Sequence, residues 1–338
     1  MAERDGTRPV DEPGDLGELV VDLVRAGQRL AEHVADHPPA ELARLGDDPL
    51  GVVAAIATQL GVQWERSRED LLAFARTRMS GDYSVDTFGF DPEFTEQFFL
   101  PMLRPLVEKW FRVEVRGLDR LPRDGSALLV ANHAGALPLD ALVLHSVVHD
   151  AIGRHPRVLA ADLVFSTPFS HDFARRIGAT VACQPDATRL LETGELVSVF
   201  PEGFKGLGKP YADRYRLRRF GRGGFVATAM RTRSPIVPVS IVGSEEIYPM
   251  ITGAPALARA FGLPYLPVTP FFPWLGVLGM IPLPSKWIIE FGEPLPGDAF
   301  DPADADDPST VFETTDRVRE LVQSRLHVLL AERGNPFT

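Results

Sequence analysis

Ala127-Leu128-Leu129-Val130-Ala131-Asn132-His133-Ala134-Gly135-Ala136-Leu137-Pro138-Leu139-Asp140 decides the fold of this chain. The apolar run from Ala127 to Ala131 reads as a buried strand that delivers Asn132 and His133 at its end. Small residues then turn the chain. Pro138 opens an apolar-periodic segment that predicts a helix over 138–149, because proline's missing N–H goes unused at a first helical position. A histidine thus stands at the mouth of a strand–turn–helix unit, with Asp140 in the first helical turn. Ligands of open α/β sheets bind beyond the carboxyl ends of the strands. His133 is therefore expected to act as a general base, oriented by Asp140. Spacing alone equally fits a strand-end histidine bonded to backbone and a first-turn acid favoured by the helix dipole.

Outward from this unit the pattern repeats. Segments at 112–115, 158–161, 180–183, 196–200, 236–241 and 287–291 read as strands. Helical spacing marks 166–177, 186–193 and 221–232, and a closing helix at 310–332 follows the acidic linker 301–309. This alternation predicts an α/β domain over 85–338, with a central, largely parallel sheet flanked by helices. Before it, 1–84 reads as an N-terminal helical extension with a disordered start at 1–13 and a helix from Leu16 to Val34. The segment 92–111, dense in Phe, Leu and Trp, predicts an amphipathic helix kinked at Pro101 and Pro105.

Composition narrows the function. The chain has 338 residues, 45% hydrophobic and 24% charged, with a formal net charge of −11, which argues against nucleic acid as a partner. Its single cysteine, Cys183, reads as a small core residue and excludes an intrachain disulfide. The polar start, Met1 to Asp15, does not read as a secretory signal, so a cytoplasmic protein is expected. The uncharged stretch 260–285 exceeds the roughly 20 residues of a membrane span. Its six prolines and three glycines prevent a lipid-exposed helix. Asp162, Asp172, His145, His149, His155 and His171 show no metal-ligand spacing, and no metal is expected.

A second site follows the strand at 196–200, where Phe200-Pro201-Glu202-Gly203-Phe204-Lys205-Gly206-Leu207-Gly208-Lys209 forms a glycine-rich, lysine-bearing loop suited to phosphate oxygens. Residues 202–233 hold nine Lys or Arg against Glu202 and Asp213, which marks an anion site, a face for acidic lipid headgroups, or a solvated basic helix. The spacing of Gly203, Gly208 and Lys209 also approaches a nucleotide-binding P-loop, but Pro210 stands where that loop needs a hydroxyl for Mg²⁺. No Gly-x-Ser-x-Gly elbow occurs. A base without a protein nucleophile points to a substrate hydroxyl as the attacking group.

In this order, Asn132-His133 with a following Asp, Phe200-Pro201-Glu202-Gly203 and Ile236-Val237-Pro238-Val239 resemble the blocks of the 1-acylglycerol-3-phosphate acyltransferase family of glycerolipid acyltransferases. The resemblance covers about 112–295. Six residues separate His133 from Asp140 where the family usually has four, and Pro138 takes the expected aspartate position. That longer spacing resembles a branch including mono- and diacylglycerol acyltransferase-like proteins. Phe204-Lys205 replaces the usual Thr-Arg, and the arginine-bearing second block is matched only by Arg189. The resemblance implies that His133 deprotonates an acceptor hydroxyl for attack on an acyl thioester, with Asp140 fixing the imidazole. It implies that Asn132, Glu202, Gly203, Lys205, Lys209 and Arg189 serve substrate binding, and that 261–284 lines an acyl channel or dips into the membrane interface. The implied partners are acyl-CoA or acyl carrier protein as donor, with no other cofactor, a lysophospholipid or other glycerolipid as acceptor, and the inner face of the membrane. A mono- or diacylglycerol or glycolipid acceptor, a non-catalytic lipid-binding protein and a P-loop hydrolase or kinase are the competing readings.

Overall fold

The computed structural model describes residues 84–166, 168–260, 264–275 and 279–337, all but Phe337 belonging to the unit Ile56–Pro336. The extension expected over 1–84, with its helix from Leu16 to Val34, lies outside the described residues apart from Ser84.

Helix α1 runs through Pro92–Phe94, Thr95–Phe99, Leu100–Pro105 and Leu106–Trp110, and β1 follows at Glu114–Arg116. Next come β2 (Ala127–Ala131), α2 (Leu139–Ile152), β3 (Arg157–Ala160), α3 (Pro168–Arg176), β4 (Thr180–Val181), α4 (Gln184–Glu192) and β5 (Leu196–Val199). The short α5 (Phe204–Leu207) precedes α6 (Gly224–Thr232), β6 (Ile236–Val242), β7 (Thr252–Gly253), α7 (Pro255–Ala260), β8 (Pro267–Val268), β9 (Ile288–Phe291) and the long α8 (Pro308–Arg333).

Seven strands form one sheet in the order β1-β9-β6-β2-β5-β3-β4. All neighbouring pairs are parallel except β6–β9. Strand alternation sends Ala127, Leu129 and Ala131 of β2 to one face, with α1 and α2, while Leu128 and Val130 meet α4, α6 and α8 on the other. A sheet covered on both faces needs strands that are apolar throughout. β2 is apolar from end to end and β6 is so apart from Ser240, and every residue of each is buried. Helix α8 covers its side through one stripe, Val311, Thr315, Val318, Val322, Leu326 and Leu329.

Pro101 and Pro105 of α1 each remove an N–H donor and crowd the preceding turn, and the helix widens into π-turns on either side of them, at Thr95–Phe99 and Leu106–Trp110. One local expectation is corrected. Pro138 caps α2 rather than starting it, because Gly135 and Ala136, at φ +95° and +59°, turn the chain so tightly that helical geometry begins at Leu139.

Candidate active site

The site begins where β2 leaves the sheet. Asn132 is buried and brackets one peptide of β6: its Nδ2 donates to the Ile241 carbonyl at 2.9 Å, and its Oδ1 accepts the Ile241 N–H at 2.7 Å. The side chain extends the strand pairing past Ala131, the last residue of β2 in register with β6. With both polar atoms committed there, Asn132 is a positioning residue, which corrects the substrate-binding role expected for it.

His133 comes next. Its Nδ1 lies 2.8 Å from Asp140 Oδ2, and the Asp140 side chain is wholly buried. The same oxygen accepts the Ala134 N–H at 2.9 Å, and Oδ1 accepts the Ala141 N–H at 2.9 Å. The six intervening residues close this contact because the Gly135–Ala136 turn folds Asp140 back over the strand end. A Cβ on Gly135 would sit 2.6 Å from the Ser244 carbonyl, so only glycine fits there. A carboxylate held by three donors keeps the imidazole proton on Nδ1, and Nε2 is left as the proton acceptor.

Glu202 joins the two motifs. One of its oxygens accepts the His133 N–H at 3.0 Å and the other accepts the Arg218 N–H at 2.6 Å. Lys209 Nζ lies 3.5 Å from Glu202 and 2.9 Å from Glu245, all three side chains being buried. Lys209 therefore neutralises two interior carboxylates, which corrects its expected role as a headgroup ligand. It also removes the P-loop reading, in which this lysine would reach a phosphate. Gly203 starts α5 at φ +55° and lines the cavity described below. Gly206 presses on the His133 carbonyl, where a Cβ would approach to 2.4 Å. Lys205 is exposed beside Phe204 at the cavity rim. Arg189 is exposed on α4, its guanidinium 5.6 Å from the Phe88 ring centre and away from the site, so the structure does not bring it to the headgroup position. Cys183 is half-buried at the start of α4, not in the core.

Burial pushes Glu245 up to about 7, with Lys209 opposing the shift. The groups facing it are Lys209, Glu202 and the Tyr215 N–H. Because its pKa in the fold exceeds the usual 4.5, the folded chain holds this proton more tightly than the unfolded one. The contribution favours the fold below pH about 4.5 and is lost as pH rises to about 7. Relative to Glu245→Gln, wild type should lose up to roughly 3 kcal/mol of stability between about pH 5 and pH 8. Urea unfolding at the two pH values measures the difference, and a constant gap contradicts this assignment.

In front of His133 opens a cavity of about 850 Å³, lined mainly by apolar side chains, among them Leu163, Phe200, Tyr248, Tyr265 and Phe272. The stretch expected to line an acyl channel contributes Pro264–Pro267, Thr269, Phe272, Gly279 and Met280. Leu137, Phe204 and Met280 line it while remaining exposed, and Trp274 nearby in sequence is 73% exposed. Gly221 lines both this cavity and a neighbouring cleft with Arg219, Phe312 and Arg319.

Sequence reasoning missed Glu245 and Arg319, and it missed a cluster on the far end of α2. There, His155 stacks on His149 at 4.4 Å between ring centres and meets His145 edge-on at 5.4 Å, beside Glu96 of α1. The acid pair Glu245-Glu246, three residues past the end of a largely apolar strand, was the one visible signal for the first of these.

Residues 112–242 match the acyltransferase family. An uncharacterized protein of Mycobacterium tuberculosis is 58% identical over 266 residues, spanning 78% of this chain and 74% of that protein. The human DGAT1/2-independent enzyme synthesizing storage lipids is 26% identical over 167 residues, 48% of this chain and 51% of that protein. A crystal structure of the 1-acyl-sn-glycerophosphate acyltransferase PlsC from Thermotoga maritima aligns with TM-score 0.44 and 19% identity, over 68% of this chain and 80% of that one. The family match spans both the His133 and the Glu202 segments, so residues 112–242 form an acyltransferase-family domain.

Proposed function

We propose that this protein moves a fatty acyl chain from acyl-CoA, or from acyl carrier protein, to the hydroxyl of a lysophospholipid, most nearly 1-acylglycerol-3-phosphate. The 2.8 Å His133–Asp140 contact at the mouth of an apolar cavity carries this reading. His133 Nε2 takes the acceptor's hydroxyl proton as that oxygen attacks the thioester carbonyl. Collapse of the tetrahedral intermediate breaks the C–S bond, and the imidazolium returns the proton to the departing thiolate. Asp140 stabilises the imidazolium meanwhile. The cavity takes acyl chains, and its exposed rim, with Leu137, Phe204 and Met280, rests on the membrane's cytoplasmic face. Among the described residues no helix is long and apolar enough to cross a membrane.

Acylation of an uncharged acceptor, such as a mono- or diacylglycerol or a glycolipid, is the second reading. It is favoured by the commitment of Lys209 to Glu202 and Glu245 and by the exposed position of Arg189 away from the cavity. Thiol release from acyl-CoA, measured against acceptors with and without a phosphate, separates the two. Acceptor-independent or absent thiol release with both donors would leave only a lipid-binding protein. In the same assay Asp140→Asn should lower kcat roughly 10²-fold with little change in KM. An amide facing Nδ1 donates where the carboxylate accepted, so the ring proton moves to Nε2 and the base is blocked.

A further inference from the structure

Glu96, His149 and His155 gather three metal-ligating atoms within 4.8 Å of one another. They come from α1, the last turn of α2 and the loop after α2, and none lines the acyl cavity. His155 Nε2 lies 3.2 Å, and His149 Nε2 3.8 Å, from the same Glu96 oxygen. Donors at 2.0–2.2 Å from a tetrahedral zinc stand about 3.4 Å apart. The His155–Glu96 pair already has that spacing, while the His149 ring, stacked on His155 at 27°, must turn out of the stack for its lone pair to meet the same ion.

A ligating histidine ordinarily donates its second ring N–H to a fixed partner. That pattern is present at His155, whose Nδ1 lies 3.1 Å from Nε2 of the buried His145. His149 Nδ1 stands 3.6 Å from Asp150 Oδ1, beyond hydrogen-bond length. Asp150 is itself held by Arg104 of α1 at 2.8 Å. His145 Nδ1 and His149 Nδ1 are buried without a hydrogen-bond partner, so the cluster carries polar atoms that the fold alone does not satisfy. Glu96 is exposed and gives an entering ion its path.

We propose that Glu96, His149 and His155 bind a transition-metal ion, zinc by donor type, with water in the fourth position. The bound ion clamps α1 to the helix that carries Asp140 in its first turn, about 13 Å away along the axis.

The test uses the full-length chain without a histidine tag, stripped with a chelator and titrated calorimetrically with ZnCl₂, with MgCl₂ as control. One zinc per chain should bind, magnesium should not, and zinc should raise the unfolding temperature. A His149→Ala/His155→Ala variant should bind at least about 100-fold more weakly and lose that rise. If this variant fails to fold, Glu96→Gln, a surface change, should weaken zinc binding without altering the chelator-treated melting temperature. Wild type that takes up no zinc at about 1 mM overturns the proposal. So does zinc binding that these substitutions leave unchanged.

Discussion

His133→Ala lowers kcat by about 10⁴-fold, the upper end of what a positioned general base contributes, while the unfolding transition stays close to wild type. The two halves of this expectation rest on different atoms. Catalysis uses the ring, through Nε2, with Asp140 behind it at 2.8 Å. The fold uses the backbone of the same residue, whose N–H meets Glu202 and whose carbonyl packs on Gly206. Truncation at Cβ spares both backbone contacts. It does not orphan Asp140 either, since the Ala134 and Ala141 N–H groups still donate to that carboxylate. What is lost structurally is the buried hydrogen bond from the ring to Asp140 and the ring contact with Phe200, at 4.7 Å between centres. Kinetics and urea unfolding on the same preparation decide the matter. A variant that keeps most of its activity ends the general-base assignment, whereas one that loses activity and stability together points to a structural histidine.

Lys209→Ala has the opposite signature: it destabilises the protein by about 3–5 kcal/mol, a large share of the roughly 5–15 kcal/mol that domains possess. Removing the ammonium strips Glu202 and Glu245 of their shared counter-ion in the interior and raises Glu245 further, so that one carboxyl must take up a proton while the other stays buried and unpaired by a cation. Glu202 is the carboxylate that fixes the His133 backbone, so activity falls as a consequence of lost order. A phosphate-binding lysine would instead raise KM for phosphorylated acceptors at unchanged stability. The double variant Lys209→Met/Glu245→Gln should recover part of the loss, because it removes the stranded charge together with its partner. Urea midpoints for the three proteins supply the comparison, and a stable Lys209→Ala with raised KM refutes the interior role.

The strand–turn–helix unit and the α/β alternation were legible because each depends on neighbours in sequence: apolar period, glycine turn and helix start. The partner of Lys209 was not, since Glu245 lies beyond α6 and β6. Nothing local distinguishes a lysine that meets a phosphate from one that meets a buried acid. Arg189 was misplaced for a related reason, its helix being visible while the face it presents was not. His145 and His149 stand at i and i+4 on one helix, a spacing that zinc sites use, but the acid that completes the cluster, Glu96, sits in another helix and leaves no mark near them. Asn132 was placed correctly at the strand end and misread in role, because a side chain that binds backbone across a sheet leaves no trace in its own segment.

Asn132 also bears on how tolerance to replacement should be interpreted. Its amide gives one hydrogen bond and takes another from a single peptide of β6, a pairing only a short carboxamide can provide. Aspartate would set a negative charge against the Ile241 carbonyl, and glutamine is a methylene too long. Such a position would resist every exchange as stubbornly as His133, yet for reasons of joinery in the sheet. A loss of activity on mutating it would therefore measure misalignment of the neighbouring base, not a missing touch on the lipid.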